Sequence, residues 1–74
     1  MLKIYTRTTC AYCKMVKKFL DLKQQKYEVI NLDERPELEE EAFKLSGGFS
    51  AVPITTNGDK VVIGWNVPKL MELI

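Results

Sequence analysis

Histidine is absent from this chain, and cysteine occurs only twice, at Cys10 and Cys13. Together these gaps argue against zinc, because one Cys-x-x-Cys with no histidine and no second cysteine pair cannot supply four nitrogen or sulfur ligands. They also argue against a structural staple, since a bridge between positions 10 and 13 closes too short a loop to restrain the unfolded chain much. Charge of neither sign is in real excess: eleven Lys and Arg against ten Asp and Glu leave a formal net charge of +1. No overall field therefore recruits nucleic acid or an anionic membrane. Long apolar runs are missing too: no stretch approaches the ~18 residues of a membrane span, and no signal-peptide core precedes the first strand pattern. The expected compartment is the cytoplasm, where a close dithiol more often serves catalysis than architecture. Repeats, linkers and low-complexity tracts are lacking. The 74 residues, 46% of them hydrophobic, make one small domain (1–74) with a thin core, expected to act as a monomer.

What is present is organised around Cys10-Ala11-Tyr12-Cys13. The alternating run Leu2-Lys3-Ile4-Tyr5-Thr6 before it reads as a short strand, and the segment it opens has helical periodicity. Two cysteines three apart at a helix start lie about one turn from each other, close enough for a disulfide that is made and broken. Unpaired N–H groups and about half a positive charge at a helix N-terminus stabilise a thiolate. Cys10, at the start, should feel this most, which makes it the nucleophile and Cys13 the resolving partner. Thr9 is a candidate cap for this helix. Arg7 has two readings: a solvated loop charge, or a cation near the thiolate or near the carboxylate of a thiol substrate. Tyr12 either packs on the domain or faces the incoming disulfide, and its place inside the motif favours contact.

From Ala11 to about Gln24, Tyr12, Met15, Val16, Phe19, Leu20 and the stem of Lys23 follow helical spacing, with Lys14, Lys17, Lys18 and Asp21 on the other face. The lysines form a solvated face or guide an acidic partner protein. Tyr27-Glu28-Val29-Ile30-Asn31-Leu32 is a strand, so strand, helix and strand make a βαβ unit with parallel strands. Asp33-Glu34-Arg35-Pro36 reads as a loop, with Pro36 in the first turn of a second helix. Leu38, Ala42 and Leu45 form that helix's inner stripe, and Glu37, Glu39, Glu40 and Glu41 form a solvated face suited to its dipole. Ser46-Gly47-Gly48 stops it. Asn57-Gly58 between Ile54-Thr55-Thr56 and Lys60-Val61-Val62-Ile63 predicts an antiparallel hairpin. Pro53, which donates no ladder bond, belongs at the head of its strand. Asn66 then caps a last short helix whose apolar face is Leu70, Met71, Leu73 and Ile74.

This order, β-α-β-α-β-β-α with Cys-x-x-Cys at the first strand-to-helix turn, resembles the thioredoxin-like α/β fold, a four-stranded mixed sheet flanked by three helices. More narrowly it resembles the glutaredoxin family. Tyr5-Thr6-Arg7-Thr8-Thr9-Cys10-Ala11-Tyr12-Cys13, Val52-Pro53, Asn57-Gly58 and Gly64 carry the likeness over essentially the whole chain. The resemblance implies that the Val52–Pro53 bond is cis, that it lies opposite the cysteines, and that the backbone at Val52 pairs with substrate like an added strand. It implies a dithiol–disulfide oxidoreductase. It implies further that no cofactor is bound and that the redox group is the Cys10–Cys13 disulfide itself. The Cys10 thiolate attacks a substrate disulfide, and Cys13 resolves the mixed disulfide.

Two branches of the family make different demands. Glutathione-using members carry Cys-Pro-Tyr-Cys, a Thr before Val-Pro, and an acidic residue opening the last helix. Here Ala11, Ala51 and Gly64-Trp65-Asn66-Val67 stand at those places, so the glutathione site is incomplete. The shortness of the chain, Tyr5-Thr6-Arg7, Gly48-Phe49 and Gly64-Trp65 are similar to the NrdH-redoxins, which take electrons from thioredoxin reductase and pass them to ribonucleotide reductase. On that likeness Arg7, Tyr12, Val52, Pro53 and Trp65 contact the substrate, with Tyr12, Phe49 and Trp65 as an apolar collar round Cys10. Glutathione is the alternative reductant. An iron–sulfur carrier, with Cys10 and an external thiol holding a cluster between two protomers, is a further alternative.

Overall fold

The computed structural model describes residues 2–48 and 52–74. Its centre is β1 (Leu2–Thr6), flanked by β2 (Tyr27–Asn31) and β3 (Ile54–Thr56), with β4 (Val61–Ile63) outside β3. β1 and β2 run parallel, Leu2 opposite Tyr27 and Thr6 opposite Asn31. β3 runs antiparallel to both β1 and β4. The mixed four-stranded sheet is the one expected. Strand alternation sorts the core into two layers. Leu2, Ile4 and Val62 face α1 (Ala11–Leu22) and α3 (Val67–Met71), where Val16, Leu20 and Leu70 close over them. Tyr5, Ile30 and Ile54 face the other side, where Ala42 of α2 (Glu39–Leu45) packs with Leu32.

The helix ends follow from their caps. α1 stops at Leu22, two residues short of the expected Gln24, because Gln24 adopts φ +56°. Its N–H reaches Asp21 O and that of Gln25 reaches Leu20 O, each at 3.0 Å. This is the paired closure usually built on glycine, here on a glutamine, so the glycine signal was missing from the sequence. α2 ends as predicted, with Gly47 at φ +74° and the Gly48 N–H bonded to Phe43 O. Pro36 begins a short 3₁₀ turn (Pro36–Leu38) that runs straight into α2. In the hairpin, Asn57 Oδ1 accepts from both the Asp59 and Lys60 amides. Lys60 thereby joins the turn instead of opening β4. Asn66 caps α3, its Oδ1 accepting from Lys69 N–H at 3.2 Å.

The inner face of α1 differs from the periodicity reading. Val16 and Leu20 of the expected stripe are buried, and so is Cys13 outside it, whereas Tyr12 and Met15 of that stripe are exposed, as is Leu22. At about 100° per residue, Tyr12, Met15, Phe19 and Leu22 form one flank of the helix beside the core stripe. The apolar arc is wider than the sheet can cover.

Candidate active site: a disulfide at the head of α1

The strand register assembles the site at one end of the sheet. Tyr5 pairs with Ile30 and with Ile54, and Ile54 pairs with Ile63. The segments that follow Thr6, Asn31 and Ile63, and the one that precedes Ile54, therefore all emerge at that end. Residues 7–10, Asp33, Val52-Pro53 and Gly64-Trp65, far apart in sequence, thus lie towards the same end of the sheet. The Val52–Pro53 bond is cis. Pro53 is buried, and its carbonyl accepts the Gly64 N–H at 2.8 Å, tying the head of β3 to the loop before α3.

Cys10 itself, not Thr9, is the N-cap of α1. Its backbone is extended (φ −154°, ψ 104°), and its Sγ accepts the Cys13 N–H at 3.2 Å. A sulfur in this position does what a serine oxygen does at an ordinary cap: it takes one of the helix's unpaired donors. Cys10 and Cys13 are joined by a disulfide with their Cα atoms 5.4 Å apart. Cys13 is 2% exposed and packed in the core, while Cys10 is half-buried. An incoming thiol therefore meets Cys10.

Arg7 is neither free in solvent nor left to the thiolate. Its Nη1 lies 3.1 Å from Asp33 Oδ1 and 2.9 Å from Glu39 Oε1. These bonds, Glu39's before Asp33's, raise the guanidinium pKa further above its ordinary value. Asp33 Oδ2 accepts the Thr8 N–H at 2.8 Å. That backbone bond first, and Arg7 after it, hold the Asp33 carboxyl below its ordinary pKa. Asn31 completes the loop: its Oδ1 accepts the Asp33 and Glu34 amides, and its Nδ2 donates to Thr8 Oγ1. Sequence reasoning missed Thr8, Asn31, Asp33 and Glu39. The available signal was Asn31-Leu32-Asp33 after a strand, a spacing at which Asn bonds its own backbone two residues on. The Glu run is exposed as expected, but two of its carboxylates also bond within the fold: Glu39 pairs with Arg7 and Glu41 accepts from Tyr5 Oη at 3.1 Å.

Tyr12 is exposed beside the cysteines. Trp65 stacks edge-on against Phe19, with ring centroids 5.9 Å apart, and packs on the α1 and α3 side of the core. Its observed contacts are those of packing. Phe49 and Ala51 lie outside the described residues. Among the described residues no group of three or more His, Cys, Asp or Glu is placed to hold a metal ion. Among them, too, no helix is long and apolar enough to cross a membrane.

Comparison with known proteins agrees with this geometry. The glutaredoxin family model matches residues 2–62. The glutaredoxin-like protein NrdH of Lactococcus lactis is 36% identical over 73 residues, covering 99% of each chain. The crystal structure of a glutaredoxin from Archaeoglobus fulgidus superposes with a TM-score of 0.88 at 36% identity, over 97% of this chain and 83% of that one. The NrdH-redoxin of Escherichia coli, a glutaredoxin-like protein described as having a thioredoxin-like activity profile, gives 0.85 at 30% identity over 99% and 93%. A cysteine pair at the head of the first helix, in a chain matched along nearly its whole length, places this thiol–disulfide oxidoreductase in the glutaredoxin family.

Proposed function

We propose that this chain is an electron carrier of the NrdH type, reduced by a thioredoxin-reductase-type flavoprotein and oxidised by protein disulfides, ribonucleotide reductase among them. The observation that carries the reading is the near-full-length similarity to the Lactococcus lactis NrdH protein. The site supports it. A small anionic thiol such as glutathione gains affinity only where each of its charged ends finds a fixed partner. Here Arg7 is already bonded to two carboxylates, and the residue capping α3 is Asn66, which brings no carboxylate to meet an ammonium group.

In the reductive half-cycle the Cys10 thiolate attacks one sulfur of the substrate disulfide. The other sulfur leaves as a thiolate and takes up a proton. Cys13, one turn deeper, then attacks Cys10, releasing the substrate's second thiol and closing the Cys10–Cys13 bond; two electrons have passed to the substrate. The Cys13 N–H, placed by the helix start at Cys10 Sγ, offers a donor to the thiolate. Lowering a thiol pKa from about 8.5 to about 7 raises its thiolate fraction at neutral pH from roughly 3% to roughly half, which outweighs the modest loss of intrinsic nucleophilicity. Tyr12, Val52, Pro53 and Trp65 are the proposed contacts for the partner protein, with the Val52 backbone pairing as an added strand. The proposed compartment is the cytoplasm.

The test is to offer the oxidised protein thioredoxin reductase with NADPH and, in parallel, glutathione with glutathione reductase. Rapid NADPH oxidation in the first arm alone is expected. Rapid reduction by millimolar glutathione alone would place the chain with the glutathione-dependent dithiol glutaredoxins.

A further inference from the structure

We infer that Asp33 and Glu39 set the thiol specificity of the site: by occupying the Arg7 guanidinium they turn the one cation of the loop before Cys10 into a locally negative cluster that disfavours carboxylate-bearing thiols. The geometry is direct. One nitrogen of Arg7 is shared between Asp33 Oδ1 at 3.1 Å and Glu39 Oε1 at 2.9 Å. The second oxygen of Asp33 is fixed by the Thr8 amide at 2.8 Å. Two carboxylates and one guanidinium leave the cluster one charge negative.

The two acids come from different places, Asp33 from the loop after β2 and Glu39 from the first residue of α2. Asn31 Oδ1 holds the first of them by its amide at 2.9 Å. The pairing is therefore built by the fold and is no accident of neighbours in sequence. Three residues of chain span at most about 10 Å, so the Arg7 backbone lies within about one Debye length of Cys10. A substrate carboxylate that approaches Arg7 meets a guanidinium whose charge two carboxylates already offset, so even at its remaining N–H groups the net attraction is small. A neutral or cationic thiol meets no such obstacle, nor does a protein whose contacts lie elsewhere.

The step on which this acts is the first attack in reduction. A thiolate attacks the sulfur of Cys10, the less buried of the two cysteines, the Cys10–Cys13 bond breaks, and Cys13 leaves as a thiolate and is protonated. A second thiolate then attacks the donor's sulfur in the mixed disulfide. Cys10 is released as a thiolate, and the donor disulfide carries away the two-electron oxidation. This specificity deepens the donor preference proposed above and rests on it only in naming glutathione as the disfavoured donor.

The experiment measures stopped-flow reduction of the oxidised protein by glutathione (anionic), 2-mercaptoethanol (neutral) and cysteamine (cationic), each rate expressed per thiolate. In the wild-type protein the rates are expected to rise from glutathione to cysteamine and to converge at high salt. Glu39→Gln should raise the ratio of the glutathione rate to the 2-mercaptoethanol rate by about two- to fivefold, the range an exposed ion pair supports. Arg7→Gln in that background should cancel the gain. Glu40→Gln, which removes an equal charge from the same helix at a side chain paired with Lys44, should leave the ratio near the wild-type value. An unchanged ratio in Glu39→Gln, an equal rise in Glu40→Gln, or wild-type rates independent of thiol charge at low salt would each overturn the inference. Failure of thioredoxin reductase to reduce the wild-type protein would instead overturn the donor assignment and leave these ratios to be read as they stand.

Discussion

The Cys13 amide donates to Cys10 Sγ at 3.2 Å, so the less buried cysteine of the pair is also the cap of α1. Reactivity and helix start are thereby one feature. In the reduced protein, alkylation with iodoacetamide should label Cys10 well before Cys13, which is 2% exposed. The Cys10 rate should stay high at pH values where a free cysteine, with its pKa of about 8.5, reacts slowly. Cys13→Ser should trap a mixed disulfide on Cys10, whereas Cys10→Ser should abolish turnover. Mass spectrometry of the alkylated and trapped species checks each point, and first labelling at Cys13 would reverse the roles.

The cysteine pair, the glycine stop after α2 and the Asn57 turn were legible because each is a local pattern whose physics is complete within a few residues. What was not legible is long-range. Arg7 meets Asp33 across 26 positions and Tyr5 meets Glu41 across 36, and nothing in either neighbourhood names the partner. The outer flank of α1 failed for another reason. Periodicity reports how wide the apolar arc is, but the sheet decides how much of it is covered, and Tyr12 and Met15 fall outside.

That division of α1 predicts unequal costs for equal chemistry. Leu20 is fully buried among Ile4, Val16 and Leu70, so Leu20→Ala should destabilise the fold by about 2–5 kcal/mol through lost transfer energy and a residual cavity. Leu22 is 74% exposed, so Leu22→Ala should change stability by less than about 0.5 kcal/mol. Urea denaturation of the two variants decides it: similar midpoints would mean that the flank is covered after all.

Tyr5 predicts an alkaline weakness. Burial first, and then its bond to Glu41, push the hydroxyl up to about 12 from an ordinary 10.0. The folded chain thus keeps a proton that the unfolded chain gives up. The Tyr5 contribution to stability is complete below pH 10 and disappears as the pH rises towards 12. Tyr27, raised by burial and by its bond to Asp21, acts in the same direction. Tyr5→Phe should cost about 1 kcal/mol near neutrality, and that cost should shrink above pH 10. A constant difference between the two proteins across this range would contradict the assignment.

Asp33 behaves in the opposite sense. Its folded pKa is depressed by the Thr8 amide and by Arg7, so its contribution is present above the ordinary carboxylate pKa and is lost as the pH falls through the lowered value. The reporter is Thr8. Its amide resonance should move with a midpoint below about 3.9, and its exchange should quicken once the carboxyl is protonated. In Asp33→Asn the movement should vanish while the amide remains protected, because the side-chain carbonyl still accepts.

Thr55 carries the last prediction. It sits in the middle of β3, opposite Ile4 on one side and Val62 on the other, and it is 0% exposed. Among the described residues, its Oγ1 is buried without a hydrogen-bond partner. A hydroxyl stripped of water and given nothing in return is a cost, of the order of 1–3 kcal/mol for a group left unsatisfied. Valine has nearly the same shape, the same branching and a good strand propensity, so the usual penalty for exchanging the two residues does not arise here. Thr55→Val should therefore raise stability by about 1 kcal/mol and leave turnover unchanged, since the residue lies in the sheet interior away from the cysteines. A lower denaturation midpoint in this variant would show that the hydroxyl has a partner in solution, a buried water being the obvious one.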